Sequence, residues 1–160
     1  MQKRSLISKS TKKILTHIKR QPGIRYRQLL RISGLANGAL SFHLKKLKKS
    51  KIIKAKKLGY NTTRYYPIAV KTTESDILDH LLDSTQRKII LFLLECSSCV
   101  FKDIVHYIDR APSTTSFQLR RLERAGIITV RRVDKKNQFY RLKNKPRIIK
   151  IVSKYKMAAQ

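Results

Sequence analysis

Acidic residues are scarce in this 160-residue chain: nine Asp and Glu stand against 38 Lys and Arg, a formal charge of +29 at neutral pH. A merely soluble, Lys-rich surface would carry matching Glu. So large an excess repels itself unless a polyanion neutralises it, which makes nucleic acid the first candidate partner and an anionic membrane surface the second. Tryptophan is absent, and with only five Phe and seven Tyr any core must be built mostly from Ile and Leu. The hydrophobic content of 41% still suffices for packed cores and argues against a disordered basic tail. Long apolar runs are missing too. The longest, Ile89 to Leu94, falls far short of the ~20 residues of a membrane-spanning helix, and the basic start MQKRSLISKSTKK leads into no apolar signal core. The expected location is the cytoplasm, at the nucleoid. Two cysteines, Cys96 and Cys99, cannot make a disulfide framework, in keeping with a reducing compartment.

The chain repeats itself. Ser41-Phe42-x-Leu44 returns as Ser116-Phe117-x-Leu119, a shift of 75. At the same shift Lys13-Ile14 meets Lys88-Ile89, Leu47 meets Leu122, Ile52-Ile53 meets Ile127-Ile128 and Tyr65 meets Tyr140. Conservative pairs lie between them, among them Tyr26 with Phe101 and Lys45-Lys46 with Arg120-Arg121. The matches are mainly apolar positions at helical spacing, as a shared core would preserve, and they continue without a gap.

Each copy reads helix, helix, helix, hairpin. In the first, a helix over about Thr11–Lys19 carries Ile14, Leu15 and Ile18 and ends at Pro22-Gly23. A second covers about Tyr26–Ser33, with Gly34 suited to a left-handed cap. Asn37 is the expected N-cap of a third helix with Leu40, Leu44 and Leu47 on one face. Then Ile52–Lys56 and Arg64–Tyr66 read as strands around a turn at Gly59-Tyr60-Asn61. The second copy places helices at about Ser84–Glu95, Lys102–Ile108 and Ser113–Ala125, with strands at Ile127–Val133 and Gln138–Leu142 turning on Asp134 to Asn137. This order predicts a mainly α fold with small β-hairpins, a tandem winged helix-turn-helix. The expected divisions are residues 1–70 for the first domain, an acidic linker or helix over 71–83, residues 84–145 for the second, and an amphipathic C-terminal helix over 146–160. Thr115 stands where Leu40 lies in the first copy, which weakens the inferred core there.

The third helix of such a unit fits the major groove, with its N-terminal residues facing base edges. The candidates for DNA contact are Asn37, Gly38, Ser41, Phe42, Lys45 and Lys46 in the first copy. Their counterparts are Ser113, Thr114, Ser116, Phe117, Gln118, Arg120 and Arg121. Asn37 or Ser41 can hydrogen-bond bases, and Phe42 can lie on a thymine methyl; packing is an equal alternative for both phenylalanines. A guanidinium fork can take guanine at two points, which favours Arg120 or Arg121 as base readers. Wing cations hold phosphate or enter the minor groove: Lys54, Lys56, Lys57 and Arg64 in the first copy, Arg131, Arg132, Lys135, Lys136 and Arg141 in the second.

The segment GLANGALSFHLKKLKKSKII, residues 34–53, resembles the helix-turn-helix and first wing strand of archaeal ArsR/MarR-like regulators. Two such units in a short basic chain resemble archaeal regulators with paired winged-helix domains. The resemblance implies a transcriptional regulator that binds double-stranded DNA, often working as a dimer. The amphipathic pattern of Pro146 to Met157 reads as a helix that packs on its own domain or against a second chain, so a homodimer through it and a monomeric pseudo-dimer are both open.

Cys96 and Cys99 have the spacing of a redox pair or half a zinc site. The favoured reading is packing: Cys96 continues an apolar helix face and Cys99 takes the core place of Ile24. Only His80 and His106 are near enough in sequence to complete a zinc site, so no metal and no cofactor is expected. His43 reads as a packing or phosphate residue. With no phosphate-cradling glycine loop and no paired acids in a plausible cleft, an enzyme is not expected. The alternative within the DNA class is a low-specificity nucleoid protein.

Overall fold

The structure is a computed structural model describing residues 7–60, 62–134 and 137–157. The chain forms two compact units, Met1–Ser75 and Asp76–Gln160.

In the first unit α1 (Lys9–Arg20), β1 (Ile24–Arg25), α2 (Tyr26–Ser33), α3 (Asn37–Lys49), β2 (Ile53–Gly59) and β3 (Thr62–Pro67) follow in order. Ser8 caps α1, its hydroxyl accepting from the Thr11 amide at 3.3 Å, a contact worth about 1 kcal/mol in typical helices. α1 and α2 turn their apolar stripes inward and α3 adds Leu40, Leu44 and Leu47. One buried cluster results, running from Ile14 and Ile18 through Leu29 to Ile53 and Tyr65. The sheet order is β1-β3-β2, all antiparallel.

Helix α4 (Thr72–Leu81) spans the junction of the units. The second unit continues with α5 (Ser84–Glu95), β4 (Cys99–Val100), α6 (Phe101–Ile108), α7 (Pro112–Arg124), β5 (Ile128–Arg132), β6 (Gln138–Leu142) and α8 (Lys145–Lys154). Asp83 caps α5, accepting from the amides of Thr85 and Gln86 at 3.1 Å each. Asn144 caps α8, which buries Ile148, Ile151 and Val152 and leaves Ile149 exposed.

The repeat is exact in register at the sheets. Ile24 pairs with Tyr65 and Cys99 with Tyr140; Ala55 pairs with Tyr65 and Val130 with Tyr140. Every partner is displaced by 75 residues. β1 and β4 are additions to the expected order, two residues each and too short to leave a pattern in sequence. Thr115 replaces Leu40 without loss of burial: it is fully buried, and its hydroxyl donates to the Ala111 carbonyl one turn back at 3.2 Å.

The left-handed positions also match, but with glycine exchanged between copies. After α2 comes Gly34 (φ 68°), and after α6 Asp109 (φ 50°). After α3 comes Lys51 (φ 52°), and after α7 Gly126 (φ 68°). Each copy therefore keeps one left-handed residue with a side chain, where glycine carries no steric penalty.

Candidate nucleic-acid interface

The two third helices present the same surface. On α3, Gly38, Ser41, Phe42, Lys45 and Lys46 are exposed. On α7, Ser113, Thr114, Phe117, Arg120 and Arg121 are exposed and Ser116 is half-buried. Phe42 is 64% and Phe117 58% exposed, so neither is a core residue, and the packing alternative falls for both. The repeat thus keeps an exposed aromatic ring at the same place on the third helix of both copies.

Two polar side chains of these helices turn elsewhere. Asn37 is not the N-cap of α3; that place is Ala36, without a side-chain cap. The Tyr26 hydroxyl, reaching across from α2, donates to Asn37 Oδ1 at 2.6 Å and lies 2.9 Å from its carbonyl. That long-range bond takes the oxygen a cap would use, and it holds Asn37 at the start of the helix. Gln118 points at α5: its Oε1 accepts from Gln86 Nε2 at 2.6 Å. Contrary to the expectation that Gln118 faces DNA, its side-chain oxygen is held by a fully buried partner, and the residue is half-buried. In the first unit the equivalent pair is Thr11 Oγ1 with His43 Nδ1, at 2.9 Å. The copies have exchanged both members of one α1–α3 tether.

The arginines of α7 are held by neighbours. Arg120 Nη2 donates to Ser116 Oγ at 3.2 Å, within the helix. Arg121 is more occupied: Nη1 lies 3.3 Å from Gln118 Oε1 and 3.8 Å from Asp83, and the guanidinium sits 5.9 Å from the Phe117 ring centre. Arg120 is thus the freer fork.

In the wings, Lys57, Arg131, Arg132 and Arg141 are exposed and Lys54 and Lys56 half-buried. Lys135 and Lys136 lie outside the described residues. Arg64 is corrected. It is 5% exposed, and Nη1 donates to the Gly23 carbonyl at 2.9 Å. A guanidinium buried against the Gly23 carbonyl is withdrawn from phosphate; it fastens β3 to the turn before β1. Arg132 is tied to the chain's own acid, donating to both Glu123 oxygens at 3.0 and 3.1 Å. Sequence reasoning missed the wing tips. Leu58 and Val133, matched in the repeat, are 40% and 60% exposed, and Tyr60 is 94% exposed.

The charge is unevenly divided. Residues 1–73 contain 20 Lys and Arg and no acid, whereas the remaining 18 cations share residues 74–160 with all nine acids. The acids that hold Arg121 and Arg132, Asp83 and Glu123, occupy the places of Ser8 and Lys48 in the first copy.

Cys99 is buried in β4 at the place of Ile24. Burial pushes its thiol up to about 12, helped by the hydrogen bond and charge of Cys96 and by Asp103. Among the described residues no group of three His, Cys, Asp or Glu is arranged to hold a metal ion, and no helix is long and apolar enough to cross a membrane.

Three helices and a wing in each unit, with the third helix open to solvent, define a tandem winged helix-turn-helix protein. Comparison with known proteins agrees: residues 8–78 match a family described as an N-terminal HTH domain, and residues 83–130 match the bacterial regulatory protein arsR family. The chain is similar to MJ1398 of Methanocaldococcus jannaschii, an HTH-type transcriptional regulator, at 29% identity over 123 residues. That alignment covers 77% of this chain and 31% of the relative, so the chain spans about a third of its length. Among solved structures, the transcriptional repressor BigR from Xylella fastidiosa is 25% identical with a TM-score of 0.46, over 54% of this chain and 87% of that one. The homodimeric winged helix-turn-helix domain of Mb0332 from Mycobacterium bovis is 17% identical with a TM-score of 0.44, over 51% and 73%. The arsR family is described as one of bacterial regulatory proteins, and MJ1398 as a transcriptional regulator.

Proposed function

We propose that the chain is a transcriptional regulator that binds double-stranded DNA, laying α3 and α7 in the major groove and gripping phosphates with the cations beside each wing. The observation that carries this reading is the matched exposure of Phe42 and Phe117, each beside exposed cations on the third helix of its unit. Phenylalanine meets the thymine methyl, while Lys45 and Lys46, or Arg120, take phosphate or guanine. The first unit, with no acid before Glu74, supplies most of the phosphate grip. The second, whose cations are partly neutralised by Asp83 and Glu123, supplies more of the base discrimination.

A second reading is a nucleoid protein with little sequence preference, favoured by a first unit whose 20 cations meet one acid, Glu74. Selection from a random-sequence duplex pool separates the two. A sharp recovered motif, blurred by Arg120→Ala and unchanged in pattern by Lys45→Ala, is the result expected of a regulator. Recovery of an unselected pool supports the nucleoid protein instead.

A further inference from the structure

One face of the second wing is open where the same face of the first is filled. In the first unit the outer face of β3 carries Arg64 and Tyr66, 5% and 0% exposed, with the Arg64 guanidinium on the Gly23 carbonyl. At the shift of 75 these become Phe139 and Arg141, and Gly23 becomes Ser98. Phe139 is 37% exposed and Arg141 is exposed. In place of the buried guanidinium lies a cleft of about 870 Å³, walled by Ser97 and Ser98 on one side and by Arg131, Val133, Phe139 and Arg141 of the hairpin. That volume lies within the usual range for small-molecule sites, about 300–1,000 Å³.

The lining names the ligand's chemistry. Arg131 is paired with Phe139 across the ladder and Arg141 with Thr129, so the two guanidiniums are diagonal neighbours on one face, within reach of a shared group. Thr129 Oγ1 accepts from Arg141 Nε at 3.2 Å and steadies that side chain. No acid among the described residues pairs with either arginine. Two cations held on one face without a counter-charge repel each other until an anion joins them, and guanidinium forks suit phosphate or carboxylate. Ser97 and Ser98 add hydroxyl donors, and Phe139 with Val133 offers an apolar floor.

We propose that this cleft binds a small organic anion: a phosphate or carboxylate clasped by Arg131 and Arg141, with a flat apolar body lying on Phe139. If the chain regulates transcription as read above, this is its effector site, because Arg131 is also a wing cation and cannot serve both ligands at once.

The full chain contains no tryptophan, so Phe139→Trp places a single fluorescent reporter in the cleft. Titrated with phenyl phosphate in the absence of DNA, it is expected to show a saturable change with a Kd below about 1 mM. Inorganic phosphate should bind about tenfold more weakly, for want of the ring's apolar burial. Adding Arg131→Gln with Arg141→Gln should weaken phenyl phosphate by about tenfold or more, while Lys150→Gln should leave it unchanged. Amide shifts of Ser97, Ser98 and Thr129 in the unsubstituted chain give the same readout should the reporter variant fail to fold. No saturation, equal binding of inorganic phosphate, or undiminished binding in the double variant would each overturn the proposal. Because no DNA is present, those results leave the DNA-binding reading untouched, and a failure to bind DNA leaves the cleft intact.

Discussion

Gln86 Nε2 donates to Gln118 Oε1 across 2.6 Å, joining α5 to the inner side of α7 at the two positions that Thr11 and His43 hold in the first unit. Gln86 is fully buried and also meets His80 Nδ1, 2.5 Å from its Oε1. Removing Gln118 therefore strands a buried donor. Gln118→Ala should lower the stability of the second unit by about 1–3 kcal/mol, measured by urea unfolding. Moving the first unit's pair across, as Gln86→Thr with Gln118→His, should recover more than half of that loss. If Gln118→Ala left stability unchanged but altered the preferred DNA sequence, the side chain would be a base reader after all.

The exchanged glycines make a second test. A Cβ at Gly34 or Gly126 would meet nothing within 4 Å, so only backbone strain distinguishes these places. Lys51→Gly should raise stability by about 0.5–1 kcal/mol, strain relief exceeding the added chain entropy. Asp109→Gly should gain less, since Asp tolerates the left-handed region. Gly126→Ala should lose about 1 kcal/mol. Thermal unfolding of the three variants gives the order, and a destabilised Lys51→Gly would contradict it.

Much of this was legible in sequence, and the failures share a cause. The bounds of α2, α5 and β6 follow from apolar period, caps and turn residues, all local signals. Asn37, Gln118 and Arg64 were misjudged because partners distant in sequence claimed them: Tyr26, Gln86 and the Gly23 carbonyl. Period-two alternation puts Arg64 and Tyr65 on opposite faces of β3. It does not say that the face away from the core is buried as well. The open cleft of the second unit escaped for the same reason, since it exists only by contrast with that filled face.

On the proposed reading, the acids that hold Arg121 and Arg132 should restrain the second unit's grip on DNA. Glu123→Gln releases Arg132, and Asp83→Asn releases Arg121 while keeping an N-cap on α5. Each pair is partly exposed and so contributes under about 1 kcal/mol. Duplex affinity at low salt should rise about two- to fivefold per variant, and the salt dependence should steepen by about one counterion each. Unchanged affinity in both would show that neither arginine reaches DNA.

The cysteines should behave as packing residues. Cys99, pushed up to about 12 by burial, stays protonated at neutral pH, so iodoacetamide should modify Cys96 first and Cys99 only on unfolding. The folded chain holds the Cys99 proton to a higher pH than the unfolded one, whose thiol ionises near its ordinary value. Its contribution to stability is therefore full below about pH 8.5 and lost as pH rises from there towards 12. Cys99→Ala should flatten that alkaline decline. Peroxide should leave DNA affinity unchanged; a fall in affinity reversed by reductant would make the pair a redox sensor.

Binding to a duplex long enough for both units should weaken steeply as salt rises. If the two reader helices and their wings together neutralise about eight phosphates, log affinity should fall against log salt with a slope near −7. Phe42→Ala and Phe117→Ala should reduce affinity without changing that slope. A slope shallower than about −2 would rule out this mode of binding, because a chain of charge +29 that releases so few counterions is not gripping DNA through these surfaces.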